Sequence, residues 1–526
     1  MDGRVSGPAD RLELVAAIDL GTTSAKAVLM NASGGRLSVE AAADCGYPLL
    51  AAEPGWAEQD PDQIREAAEQ ALRQALQALA GRPLQVLALS FSSAMHSLIA
   101  LDGQGRALTP CITWADQRAA EQARRLREDE ALQGLRSRIG VPVHAMLPLC
   151  KLVWMREQRP QLHREAACFV GIREYVMRGW TGRPCRVDPS IAGGTGLYDL
   201  QGRRWDAEAL ELAGIGADRL PELAPAAWID RQGLSEEAAE RLGLPAGTPL
   251  VLGGADGVLA NLGAGAVQDG IASVTVGTSG AVRAAVSRPA ADAEGRLFCY
   301  ELGEGRWIAG GPVNSGGVVF RWVRDKLFPG IAEEAERKGM DPYSYLVELA
   351  MQTPPGADGL LCLPHLAGER APHWNEDARG VFVGLSLEHD RRHLIRAALE
   401  GILYGLRSVL EALRETAGPL REIRASGGLL RSAPLRQMLA DMTGLPVLLM
   451  DTAEASSVGA GRIALEALGR GGEAAPEVPI TDRREPDPDA GLTYDRLYGI
   501  YRPVFGRLAG TFRELADIQR AGADSR

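Results

Sequence analysis

The sequence predicts an α/β protein of two related domains facing a shared cleft, and three observations carry that expectation. A strand, a Gly-Thr turn and a second strand occur twice, about half the chain apart: Leu14–Met30 reads LVAAIDLGTTSAKAVLM and Ala272–Val286 reads ASVTVGTSGAVRAAV. The chain has 526 residues, more than one core holds, so two domains of about 250 residues are expected. Between the repeats, apolar strand-like runs alternate with amphipathic helical stretches. Ala246-Gly-Thr-Pro punctuates the chain near its middle, which sets domains at 12–247 and 248–518.

Composition narrows the class. A formal net charge of −11 and the lack of a dense Lys/Arg run argue against a nucleic-acid surface. No apolar segment approaches the length of a membrane span, and Met1–Asp10 has no apolar core, so it reads as a loose tail and not a signal peptide. The seven cysteines are scattered and never form a CxxC pair, which points to reduced thiols in a cytoplasm.

Taken in order, the first hairpin is followed by a β-like segment at Leu37–Tyr47 and the loop Pro54-Gly-Trp-Ala-Glu-Gln-Asp-Pro. Asp60-Pro61 is a good start for a helix whose Ile64, Ala68, Ala71, Leu72, Ala75 and Leu79 share one face. Leu84–Phe91 is a buried strand ending in Ser-Ser-Ala-Met-His, which puts Met95 and His96 where α/β proteins keep functional residues. Ile112-Thr-Trp-Ala-Asp-Gln-Arg is a strand ending in Asp116 and Arg118, read either as a surface ion pair or as part of a site. Phe169–Val176 begins as a strand and sets Arg173 at a turn. In the second half, Arg391–Ala417 is a long helix with Gly401 and Gly405 on one face for close helix contact. His389 and His393 read as caps, since no third metal ligand stands near. Leu420–Ala425 and Val447–Met450 are strands, Glu454-Ala-Ser-Ser-Val-Gly-Ala-Gly opens a tightly packed helix, 471–490 is a linker, and Leu492–Ile518 is a closing helix pair.

Chemistry gathers at the repeats. Either Gly-Thr turn presents bare N–H groups and hydroxyls to a phosphate, but only the first carries a carboxylate, Asp19, suited to Mg²⁺. Val251-Leu-Gly-Gly-Ala-Asp-Gly puts Asp256 at a helix start with little bulk around it. Taken alone, a capping Asp and an ordinary turn explain these residues equally well.

Four stretches together make the resemblance. Asp19-Leu-Gly-Thr-Thr-Ser-Ala-Lys, Gly254-Ala-Asp-Gly, Val276-Gly-Thr-Ser-Gly and Ser426-Gly-Gly-Leu-Leu-Arg-Ser resemble, in order and spacing, the motifs of the FGGY carbohydrate kinase family. The similarity runs from about Leu12 to about Ala516. It implies two actin-like (ribonuclease H-like) ATPase domains flanking an ATP and sugar cleft. Asp256 is then the catalytic base. Gly21, Thr22, Thr23, Lys26, Gly277 and Thr278 face the phosphates, Asp19 holds Mg²⁺ through water, and Gly427, Gly428 and Ser432 hold adenosine, with Gln437 nearby. Met95, His96, Asp116 and Arg118 contact the sugar, while Glu369 and Arg370 line or brace the cleft.

Within the family, residues 54–61, 90–98, 112–118 and 148–154 are most similar to the members that phosphorylate gluconate. Xylulose or a related ketose or polyol is the alternative substrate. A carboxylate needs a cation, and Arg118 and Arg173, both at strand ends, are the candidates. An actin-like ATP switch and a sugar sensor are the readings from other classes. The partner is a small sugar or sugar acid, with no nucleic acid or membrane, and the oligomeric state stays between monomer and homodimer.

Overall fold

The strand Leu12–Leu20 is apolar without alternation from Leu14 to Ile18, and both of its faces are buried there: Leu14, Ala16 and Ile18 on one, Val15 and Ala17 on the other. That is the signature of a strand inside a sheet covered on both sides. The computed structural model describes residues 11–33, 36–303, 305–450, 454–471 and 478–524. The expected tail Met1–Asp10 and residues 472–477 of the expected linker lie outside them.

The first sheet has the order Ile229–Asp230, Leu250–Ala255, Leu84–Ser93, Leu12–Leu20, Ser24–Asn31, Ser38–Gly46. The second runs Phe298–Gly303, Arg306–Val313, Gly280–Val286, Ile271–Val276, Glu422–Ser426, Val447–Met450, Ile480–Arg484. Both follow one plan. An antiparallel hairpin and its neighbour join two parallel strands, and an antiparallel strand closes the edge, with Phe298–Gly303 added antiparallel at the far edge of the second sheet.

Leu250–Ala255 pairs in parallel with Leu84–Ser93. The first sheet therefore extends to Ala255, past the boundary expected after residue 247. The Gly-Pro punctuation there marks a turn into this strand and not the end of the sheet. The helix Ala455–Ala467 also reaches back, laying Ala460, Ile463 and Ala464 on Val15, Ala17, Val28 and Met30. It crosses the helix Asp256–Gly263 at backbone distance: a Cβ on Gly263 would lie 1.8 Å from the Ala455 carbonyl, and one on Gly459 2.1 Å from that of Leu259. Small residues thus let the two halves of the chain touch where the cleft begins.

Asp60 caps the helix Pro61–Gln77 by accepting from the N–H groups of Asp62 and Gln63. The helix Arg391–Ala417 and the strand Val447–Met450 have the expected bounds. His389 bonds Ser386, and His393 bonds Asp390 and Asp358, as caps do. Gly401 meets the Cys362 carbonyl of a strand and Gly405 meets open space, so these two glycines do not serve a helix contact. The end of the chain is one helix, Pro488–Asp524, and not a pair. Its buried Tyr494, Tyr498, Tyr501, Phe505 and Phe512 keep helical spacing and carry it through Pro503. No helix of the described residues is long and apolar enough to cross a membrane.

Candidate active site

Both Gly-Thr turns sit at the ends of the hairpins at the centre of their sheets, and two cavities meet at the second. One, of about 760 Å³, is lined by Gly277, Thr278, Phe320, Tyr343, Gly428 and Ser432. The other, of about 380 Å³, is lined by the same Gly277 and Thr278, by Thr22 of the first turn, and by Asp256, Met95 and His96. Gly428 and Ser432, expected to hold adenosine, thus line the larger cavity. Gly427 lines neither cavity. Its φ is +89°, and a Cβ there would lie 2.5 Å from the Val276 carbonyl, so it lets the loop cross the second hairpin. Gln437 bonds Asp441 and the Glu485 carbonyl, away from the site.

Asp256 opens its helix directly after the strand Leu250–Ala255, and among the described residues its carboxylate accepts only the Gly257 N–H, at 2.6 Å. Burial and the nearby charge of Asp19 push its pKa up to about 6, while Arg283 and the Gly257 bond pull the other way. A carboxylate titrating there is ionised at neutral pH yet basic enough to take a proton.

Around the first turn, Asp19 accepts from Ser92 Oγ at 2.7 Å and, across the cleft, from Ser456 Oγ at 3.0 Å. Lys26 also bridges the halves, pairing with Glu454 at 3.0 Å. Gly21 accepts from the Tyr47 hydroxyl through its carbonyl, and Thr23 is exposed. Thr22 takes the Trp114 indole N–H on its hydroxyl at 2.9 Å and Gln59 Nε2 on its carbonyl at 2.6 Å.

His96 and Met95 line the smaller cavity after the strand Leu84–Ser93. His96 has φ of +65° and donates from Nδ1 to the Gly194 carbonyl at 2.6 Å. Burial holds its pKa down to about 3, so the ring is neutral and Nε2 is left as an acceptor. Lys151, fully buried, fixes this stretch by donating to the carbonyls of His96 at 2.6 Å and Thr113 at 2.8 Å.

The two arginines expected to meet a carboxylate are corrected here. Arg118 is buried between Asp116 and Glu58, at 2.8 and 2.6 Å, with its guanidinium 3.6 Å above the Trp56 ring. Asp116 is equally spent, since it also accepts the Ala57 N–H. Asp116 and Arg118 therefore brace the segments carrying Trp114 and Gln59 instead of contacting substrate. Arg173 pairs with Glu174 and Asp188, each at 2.6 Å, and donates to the Leu252 carbonyl. Asp188 and Ser190 continue that network to the Ala255 N–H, so Arg173 buttresses the strand that presents Asp256. Both lost their candidacy for the same reason: a buried guanidinium demands partners, and neighbouring carboxylates supplied them.

The cavity's own cations are Arg283 and Arg370. Arg370 donates to Asn314 Oδ1 at 2.7 Å and lies 5.1 Å over the Trp114 ring, while Glu369 beside it is occupied by Ser315, His365 and the Asn314 N–H. Arg283 was missed in the sequence, although an arginine amid Gly, Ala and Val in a buried strand was the available signal.

Family models place this architecture. The N-terminal domain model of the FGGY family of carbohydrate kinases matches residues 14–263, and its C-terminal domain model matches residues 272–468. The chain belongs to the FGGY family of carbohydrate kinases. Membership brings the two-domain actin-like fold and ATP as phosphoryl donor to a carbohydrate. Gluconokinase of Bacillus subtilis is 41% identical over 507 residues, 96% of this chain and 98% of that protein. Two crystal structures from Lactobacillus acidophilus, of a gluconate kinase and of a ligand-bound xylulose kinase, each match with TM-score 0.89 and 32% identity. They cover 96% of this chain and 100% of theirs.

Proposed function

We propose that this carbohydrate kinase transfers the γ-phosphoryl group of ATP to the C6 hydroxyl of D-gluconate, giving 6-phospho-D-gluconate, in the cytoplasm. The observation that carries the choice of an acid is the smaller cavity's charge: two arginines, neither in an ion pair among the described residues, with Asp256 the one carboxylate lining the same cavity. The near-full-length identity to gluconokinase supports the same substrate. Xylulose is the second reading, because a structure bearing that name is matched equally well.

In this reading the adenosine lies along Gly428 and Ser432, and the phosphates cross Gly277 and Thr278 toward Thr22 and Lys26. Asp256 takes the proton of the C6 hydroxyl as its oxygen bonds to the γ-phosphorus. The bond from the γ-phosphorus to its bridging oxygen breaks, and the electron pair leaves with ADP. Positioning and charge stabilisation do most of the work in such a transfer.

Asp19 fits a Mg²⁺ ion, which usually binds through one or two carboxylates, water and substrate phosphates. It is a hard oxygen donor steadied by two hydroxyls, and among the described residues no cluster of three or more His, Cys, Asp or Glu offers a richer cage. The ion would neutralise phosphate charge as the bridging bond lengthens.

A panel of aldonates, ketoses and polyols assayed for ADP formation tests the assignment. Gluconate should give the highest kcat/KM. A higher value for xylulose or ribulose overturns the substrate and leaves the kinase.

A further inference from the structure

Arg283 stands in the middle of Gly280–Val286, where Ala281, Val282, Ala284, Ala285 and Val286 are all buried apolar residues. A guanidinium in such a strand normally finds carboxylates or carbonyls, as Arg118 and Arg173 do. Arg283 donates no hydrogen bond and joins no ion pair among the described residues, and it lines the smaller cavity.

Its place is prepared by a second residue. The guanidinium lies across the bare Cα of Gly257: a Cβ there would come within 2.7 Å of Nη2 and 2.9 Å of Cζ and Nε. Gly257 directly follows Asp256, so the cationic group and the carboxylate meet one cavity from adjoining positions.

Register separates the two cavity arginines. Gly280, at the turn, pairs with Val313, and Arg283 pairs with Gly310. Three residues of antiparallel strand put Arg283 about 10 Å from the turn. Arg370 stays at the turn end, bonded to Asn314 and the Val313 carbonyl and stacked over Trp114, which bonds Thr22. An acceptor whose terminal hydroxyl reaches the phosphate between the turns extends its other end away from them.

We propose that Arg283 binds the C1 carboxylate of the acid substrate, with Gly257 kept bare so that the guanidinium can lie flat at the cavity wall. This rests on the gluconate reading and names the residue that separates an acid from a neutral sugar.

The test compares gluconate with gluconamide, its neutral isostere, in wild type, Arg283→Gln and Arg283→Lys. Wild type should favour the acid by about tenfold to a hundredfold in kcat/KM, mostly through KM. Arg283→Gln should abolish that preference and Arg283→Lys should restore part of it. Parallel losses on both substrates in Arg283→Gln, with the preference intact, overturn the assignment of Arg283 while gluconate stands. A wild type that favours xylulose over gluconate overturns the substrate reading and this inference with it. Thermal unfolding accompanies each variant. Should Arg283→Gln not fold, Gly257→Ala keeps every charge and displaces the guanidinium. It should reduce the acid preference, and an unchanged preference in Gly257→Ala is then the overturning result.

Discussion

In the first hairpin Asp19 stands opposite Lys26, whereas in the second the corresponding register positions hold Thr275 and Ala281. The parallel neighbour strand places Ser92 beside Asp19 and Ser426 beside Thr275. Asp19 takes hydroxyl hydrogen bonds from Ser92 and Ser456, while Thr275 and Ser426 share one bond of 2.8 Å. The second hairpin is also tighter, with three residues between its last pair, Val276 and Gly280, against four between Leu20 and Ala25. Its charge appears two residues further on, at Arg283. One supersecondary unit thus serves two purposes. Where it carries Asp19 and Lys26, the proposed reading gives it the cation and the phosphates. In the proposed reading, the tighter second turn, without a charged pair at its register, lets phosphates lie against backbone and its strand aims Arg283 at the acceptor.

The largest expected effect comes from the carboxylate that both hairpins serve. Asp256→Asn keeps the shape but cannot accept a proton, so kcat should fall by on the order of 10²–10⁴ while ATP still binds. Near-wild-type turnover would remove Asp256 from the role of base.

The hairpins themselves can be set against each other. Asp19→Asn should lower kcat/KM about tenfold to a hundredfold and raise the Mg²⁺ concentration needed for half-maximal rate. Thr275→Val, at the equivalent position, should leave that Mg²⁺ dependence alone and cost about 1 kcal/mol of stability through the bond lost to Ser426. Equal shifts in Mg²⁺ dependence would show that the division of charge has no functional meaning.

The pH profile follows from Asp256. Its pKa is raised from 3.8 to about 6, and the base must be ionised to act. The rate should therefore fall about tenfold per unit of pH below that value. Stability runs the opposite way: the folded state holds this proton more tightly, so the contribution is full below pH 3.8 and lost as pH rises through about 6. Asp256→Asn should accordingly unfold at a higher temperature than wild type at pH 8, and that gap should close near pH 4. An acid limb that stays flat through pH 6 would contradict the assignment.

Much of this was legible in the sequence because it rests on local pattern. Two hairpins, an Asp at a strand end and a Gly-Gly turn announce themselves through spacing. The helix Ala455–Ala467 lying on the first sheet was not legible, since only the sheet's uncovered face calls for it. The arginines show the limit most plainly. Arg118 and Arg173 follow strands as a ligand would; their neighbours Asp116 and Glu174 were visible partners, but Glu58 and Asp188, which complete each pairing, come from segments that only folding brings near. Arg283 went unread in the sequence because the cavity in front of it is built from Gly257, Tyr300 and His96 of three other segments.

The smallest expected effect concerns the bridge from the first hairpin to the second half of the chain. Lys26 and Glu454 are partly exposed, with side-chain exposures of 33% and 22%. An ion pair that open to solvent contributes no more than about 1 kcal/mol, less in salt. The second hairpin has no such pair, since Ala281 replaces Lys26 in its register. If Lys26 turns to the phosphates when ATP binds, it must first leave Glu454, and that exchange opposes binding. Glu454→Gln should therefore lower KM for ATP by up to about fivefold, the equivalent of that 1 kcal/mol, with kcat unchanged. The gain should shrink as ionic strength rises, because salt screens the pair being lost. A raised KM would mean that Glu454 holds Lys26 in its working position, and the bridge would then belong to the binding site itself.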